Sequence, residues 1–198
     1  IRMYKGVTVY PGAMTVAATN SLENCETISF HTAEELHYCG INLNFAPDAD
    51  VNSESLNPVI GTRSFGENPS SVGEYVESFI KGHRRGNVMT CGKHFPGHGA
   101  TKEDSHYSLP SVTHSLEEMK AIDLPPFQKA IDAGVDLIMV GHLLSPLDKD
   151  KPSSLSKKTI SYLRNEMGFK GVTISDSMVM EALNQSRYDE VCLEAIMA

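Results

Sequence analysis

The chain has 198 residues, 40% hydrophobic and 21% charged, which is enough for one domain with a sizeable core and outside the composition of disordered chains. Its 17 basic and 25 acidic residues give a net charge of −8. That balance argues against the basic footprint of a nucleic-acid-binding surface, and no apolar run approaches the roughly 18 residues of a membrane span.

Ile1-Arg2-Met3-Tyr4-Lys5 is followed by no apolar h-region of a signal peptide, so this end does not reveal the compartment. Cys25, Cys39, Cys91 and Cys192 are widely spaced and form no CxxC pair. Reduced core thiols are expected rather than a disulfide framework. That usage favours a cytoplasmic location, with a secreted or lipid-anchored full-length form as the alternative.

In chain order, Ser21–Cys39 reads as a helix with Ile28, Ala33, Leu36 and Cys39 on its apolar face and Gly40 as its stop. Ile41–Pro47 alternates apolar and polar residues as a strand. The next 22 residues, Asp48–Pro69, form a loop long enough to suggest function. Ser70–Arg85 is a second helix, with Val72, Tyr75, Val76, Phe79 and Ile80 on one face. Val88–Gly92 is a short strand. Ser115 and Glu118 form a capping box ahead of a helix expected to break near Pro125-Pro126 and resume over Phe127–Ala133. Val135–Val140 is a nearly continuous apolar run, fitting a strand covered on both faces. Ser156–Met167 is a helix stopped by Gly168, Gly171–Asp176 a strand, and Glu190–Ala198 a further helix.

This alternation is the pattern of a parallel α/β architecture. Polar and charged residues gather after strand C-terminal ends: Asp48 and Asp50, Lys93 and His94, His142, and Asp176. Both barrels and doubly wound sheets bind ligands at that end. No glycine fingerprint follows a strand, and Gly97–Lys102 lacks phosphate-loop spacing, so no nucleotide cofactor is expected.

Each candidate has a plain alternative. Asp176 suits a nucleophile or base at a strand end, or simply the N-cap of a helix from Ser177. Asp104 and His106 are two apart, so the carboxylate could fix the imidazole tautomer, or both could be solvated loop residues. Lys93 and His94 should face opposite ways unless a turn at Phe95-Pro96-Gly97 aims both at one ligand. Arg63 could fork onto a ligand or brace its loop. His94, His98, Asp104, His106 and His142 contain enough ligand types for a metal. Pro96 and Gly97 prevent His94 and His98 from forming a helical i, i+4 pair, and no metal is expected.

Four segments occur in one order: Asn42–Pro47 with Asp50; Gly61-Thr62-Arg63-Ser64-Phe65-Gly66; Lys93-His94-Phe95-Pro96-Gly97-His98-Gly99 with Asp104-Ser105-His106; and Ile174–Met178. Together they resemble the catalytic barrel of glycoside hydrolase family 3, and within it the β-N-acetylhexosaminidase (β-N-acetylglucosaminidase) branch. The resemblance implies a TIM-type (β/α) barrel, with residues 1–198 as one partial barrel domain lacking N-terminal and C-terminal elements. It implies a retaining exo-glycosidase acting on terminal β-linked N-acetylglucosamine, expected on peptidoglycan fragments, without a cofactor. A carbohydrate is then the partner. In this resemblance Asp176 matches the nucleophile, His106 the general acid/base and Asp104 its partner, while Arg2, Arg63, Lys93 and His94 match substrate-binding residues. A β-glucosidase of the same family and a non-catalytic fragment are the other readings.

Overall fold

The computed structural model describes residues 6–104, 108–183 and 187–198. After a short helix α1 (Ala13–Ala17), Ser21 accepts a hydrogen bond from the Asn24 amide and starts α2 (Leu22–Tyr38). The buried side of α2 is Cys25, Ser29 and Ala33. Cys39 is exposed, so the expected apolar face is rotated from the observed one. The strand expected over Ile41–Pro47 contains only two ladder residues, β1 (Leu43–Asn44). Beyond them, single backbone bonds continue the pairing: the Cys91 amide donates to Ala46 and the Lys93 amide to Pro47.

Asn68 caps α3 (Pro69–Arg85), with proline in the first turn where its missing N–H costs nothing. The chain then enters β2 (Met89–Phe95), and Ser115 and Glu118 complete the capping box of α4 (Leu116–Ile122). The helix break occurs at Asp123, and α5 (Leu124–Asp132) carries both prolines near its start rather than resuming after them. Then come β3 (Leu137–Val140), α6 (Lys157–Ser161) with a π-turn over Tyr162–Glu166, β4 (Val172–Ser175) and α7 (Tyr188–Met197).

The four strands are parallel and lie in the order β1-β2-β3-β4. Each crossover returns to the neighbouring strand, the connectivity of a (β/α) barrel. Successive residues of β3 face opposite ways. Ile138 and Val140 join Phe95, Val76, Ile80 and Phe127 beneath the helices, with the Phe95 and Phe127 rings edge-on at 5.3 Å. Leu137 and Met139 turn to the other face and pack with Cys91, Leu43 and Ile174. Full burial of each large side chain contributes roughly 1.5–3 kcal/mol. Both faces of β3 are thus covered, as its unbroken apolar run requires.

A Ser–His–Asn trio with buried Ser29 and His83 also has a structural explanation. The Ser29 hydroxyl lies 2.5 Å from the Phe79 carbonyl oxygen and 2.6 Å from His83 Nδ1, and Asn44 Nδ2 lies 2.9 Å from His83 Nε2. If the hydroxyl donates to Phe79, His83 donates from Nδ1 and accepts at Nε2, so the hydroxyl and both ring nitrogens are satisfied with a neutral ring. Burial pushes the His83 pKa down to about 4. The trio ties α2, α3 and β1 together. Among the described residues, no helix is long and apolar enough to cross a membrane.

Candidate active site

The C-terminal ends of all four strands converge on one cluster. Asp48 and Asp50 follow β1, Lys93 and His94 lie at the end of β2, His142 follows β3, and Asp176 follows β4. The loop between β1 and α3 adds Arg63 from a single 3-10 turn, Gly61–Arg63.

Asp50 is the centre of this arrangement. It is fully buried and accepts from the His98 amide at 2.7 Å, the His94 ring Nδ1–H at 2.8 Å and the His94 amide at 3.2 Å. Burial alone would raise its pKa. The His94 ring and the other donors outweigh burial and hold the carboxyl below its ordinary value. Asp48 has one oxygen bonded to the Asp50 amide at 3.2 Å and the other 3.5 Å from the Arg63 guanidinium. Burial, then the Asp50 charge, push its carboxyl up, with His94 and Arg63 opposing only part of the rise.

Lys93 and His94 both serve the cluster, although they are adjacent in a strand. The pairing of β2 with β3 shifts register between Gly92 and Phe95, which changes the alternation of side chains there. The expected turn at Phe95-Pro96-Gly97 therefore follows the residues that are redirected within the strand itself. The Lys93–His94, Ala46–Pro47 and Phe95–Pro96 peptides are cis. Burial lowers the Lys93 pKa, and Asp48 and Asp176 pull it back. With Nδ1–H given to Asp50, His94 can accept at Nε2 from Arg63, 3.3 Å away. The same nitrogen is 4.0 Å from Asp176 Oδ2.

The local geometry at Asp176 separates its two oxygens. Oδ1 accepts from the Ser177 amide at 2.7 Å, while Oδ2 faces His94. No helix starts at Ser177; the chain makes a turn and reaches a 3-10 segment only at Glu181–Leu183. The helix N-cap alternative for Asp176 is therefore contradicted. His142, fully buried, reaches the Ser177 carbonyl with Nε2 at 3.0 Å and Ser154 Oγ with Nδ1 at 2.7 Å. A carbonyl only accepts, so Nε2 carries the proton and Ser154 donates to Nδ1. His142 thus fixes the residue after Asp176, a role without a local sequence signal.

The described histidines of the sequence cluster have separate commitments: His94 to Asp50, His98 to Thr101 Oγ1 at 2.8 Å, and His142 to the β4 end. His98 also receives the Asn57 side-chain N–H on its carbonyl at 2.8 Å, as a brace for its turn. Among the described residues, Asp48, Asp50 and His94 could geometrically offer one metal ligand each. Asp50 is already occupied by three N–H donors, and the Arg63 cation adjoins Asp48 and His94. Arg2 and His106 lie outside the described residues. Asp104 lies inside them, on the segment between the Gly97–Ala100 turn and Ser108.

Asp48→Asn removes the strained member of the buried carboxylate pair. The folded pKa of Asp48 is raised above its ordinary value of 3.8, so its cost is absent below that value, grows as pH rises towards the folded value of about 7, and levels off above it. Thermal melts should give the variant a gain on the order of 1–3 kcal/mol at pH 8, shrinking towards pH 4. A gain independent of pH would contradict this electrostatic account.

The model for the glycosyl hydrolase family 3 N-terminal domain matches residues 1–198. A Neisseria gonorrhoeae β-hexosaminidase is 38% identical over 188 residues, covering 91% of this chain and 52% of that protein. The structure of a glycoside hydrolase family 3 β-N-acetylglucosaminidase from Paenibacillus sp. superposes with a TM-score of 0.96 at 37% identity, covering 99% of this chain and 38% of that one. Neisseria gonorrhoeae NagZ, solved in complex with N-trifluoroacetyl-D-glucosamine, gives 0.89 at 32% identity, covering 98% of this chain and 59% of that one. The chain spans about half the length of the curated relatives it matches.

Proposed function

The chain belongs to the glycosyl hydrolase family 3 N-terminal domain family, and on that footing we propose that it forms the catalytic barrel of an exo-acting hydrolase. Its substrate is a terminal β-linked N-acetylglucosamine, in peptidoglycan fragments, and the reaction proceeds with retention. The observation that carries this reading is Asp176 Oδ2 at the β4 end, facing His94 Nε2 at 4.0 Å beside Lys93 and Arg63. The names of the relatives supply the sugar class.

In the first step, Asp176 Oδ2 attacks the anomeric carbon. The glycosidic oxygen leaves with a proton from His106, which Asp104 orients, and a glycosyl ester forms on Asp176. Water then attacks the same carbon, gives its proton to His106 and releases the carboxylate. Two inversions give net retention. An imidazole can supply and recover that proton near neutral pH in place of the second carboxylate of the usual scheme. Lys93, Arg63, His94 and Arg2 bind hydroxyls of the sugar at the cleavage site.

The substrate test is a side-by-side assay of the full chain with an aryl N-acetyl-β-glucosaminide and the matching aryl β-glucoside. The expected kcat/KM ratio favours the acetamido sugar by about 100-fold or more. Equal or faster cleavage of the glucoside would replace this reading with a β-glucosidase.

A further inference from the structure

The segment carrying Asp104 and His106 leaves the β2 end and returns ahead of α4. Its departing stem is held by close backbone packing: a Cβ on Gly99 would stand 1.7 Å from the Val51 carbonyl oxygen. Its returning stem is closed by Thr113, whose amide and hydroxyl both donate to the Ala100 carbonyl, at 3.2 and 2.8 Å. One residue later, His114 Nδ1 lies 2.7 Å from Asp123 Oδ2.

Asp123 is in an unusual place for a carboxylate. It is fully buried at the α4–α5 junction, it makes no side-chain cap to α5, and its Oδ1 has no hydrogen-bond partner. Its Cβ also adjoins the turn after Lys93 and His94, where a Cβ on Gly97 would come within 2.7 Å of it. Gly97 has φ +131°, a conformation that favours glycine, so this contact is built around the missing side chain. Burial pushes the Asp123 carboxyl up to about 6, with His114 opposing the rise. The same side chain therefore packs against the Gly97 turn and, through His114, holds the returning stem.

We propose that His114 and Asp123 are a positioning pair that fixes the returning stem of the segment bearing Asp104 and His106 against the Gly97 turn. The inference rests on the glycosidase reading for its catalytic consequence, but the physical tether can be measured without turnover. The pair spans α4, from the residue before its N-cap to its C-cap, and the Asp123 side chain adds the packing contact that joins it to the turn at Gly97.

The test compares His114→Ala, His114→Asn and Asp123→Asn in the full chain. Asparagine at 114 keeps an N–H donor near the position of Nδ1, and asparagine at 123 keeps the packing against Gly97. His114→Ala should lower kcat by about 10- to 100-fold, the scale of a misplaced catalytic group, with KM changed less than about twofold. His114→Asn should recover most of that loss, and Asp123→Asn should fall between them. Hydrogen exchange over residues 101–112 should quicken in His114→Ala while β2 and β3 stay protected. Unchanged exchange in both His114→Ala and Asp123→Asn would overturn the proposal, whether or not the wild type turns over glycosides. So would an impairment of His114→Asn equal to that of His114→Ala. An inactive wild type with the expected exchange pattern would instead place the failure in the glycosidase reading and leave the tether supported.

Discussion

Asp176→Ala should lower kcat on an aryl N-acetyl-β-glucosaminide by about 10⁴-fold or more, the scale seen when a group that acts as part of a catalytic unit is removed. Its fold should persist. Asp176 sits at the end of β4 with its side chain 23% exposed, and its Oδ1 contact is local, to the next amide. Losing that bond costs about 1 kcal/mol. Chromogenic turnover measured beside a thermal melt separates the two effects. Activity within tenfold of wild type, with an unchanged melt, would remove Asp176 from the chemistry.

Asp50→Ala should act on the fold first and on activity as a consequence. It leaves the His94 amide, the His94 Nδ1–H and the His98 amide without their common acceptor in a fully buried site. Breaking such a buried arrangement costs roughly 3–5 kcal/mol, a fall in Tm on the order of 10 °C for a chain of this size. The pH dependence has a definite sign. The folded pKa of Asp50 lies below its ordinary value of 3.8, so its stabilisation is complete above that value and is lost as pH falls towards the folded pKa. The gap between wild-type and variant melts should therefore narrow below about pH 4, beneath the range in which Asp48 titrates. A gap that widens below pH 4 would contradict the assignment of Asp50 as the ionised member of the pair.

These two residues differ in how visible they are in the sequence. Asp176 ends an apolar strand, and the order of strands and helices is enough to send it to the ligand end of a parallel sheet. The same local rules account for α3, whose expected apolar face is buried apart from the partly buried Phe79, and for β3, whose apolar run is buried on both faces. They fail where tertiary contacts replace the local pattern. Ile41–Pro47 has strand alternation throughout, but its ladder contracts to Leu43–Asn44 while isolated bonds carry the pairing on towards Asp48.

Asp50 also follows a strand end, but its role as a shared acceptor has no local signal. Its partners His94 and His98 are 44 and 48 residues away, and only the parallel pairing of β1 with β2 brings them together. The joint use of Lys93 and His94 depends on a register shift against β3, which a pattern along one strand does not reveal. His142 is similar: it is a polar residue after an apolar strand in the sequence, yet in the fold it holds the Ser177 carbonyl from 35 residues away. The ligand end of the sheet is thus legible from periodicity, whereas the placement of His94 and His142 around Asp176 depends on long-range hydrogen bonds.

The most direct measurement is mass spectrometry after the full chain reacts with a fluorinated N-acetylglucosaminyl donor that forms the glycosyl ester faster than water releases it. The account predicts one added sugar, located on Asp176 in the peptide spanning residues 172–183. A sugar carried by a different carboxylate, or turnover of the donor with no ester on Asp176 at any time during the reaction, would contradict it.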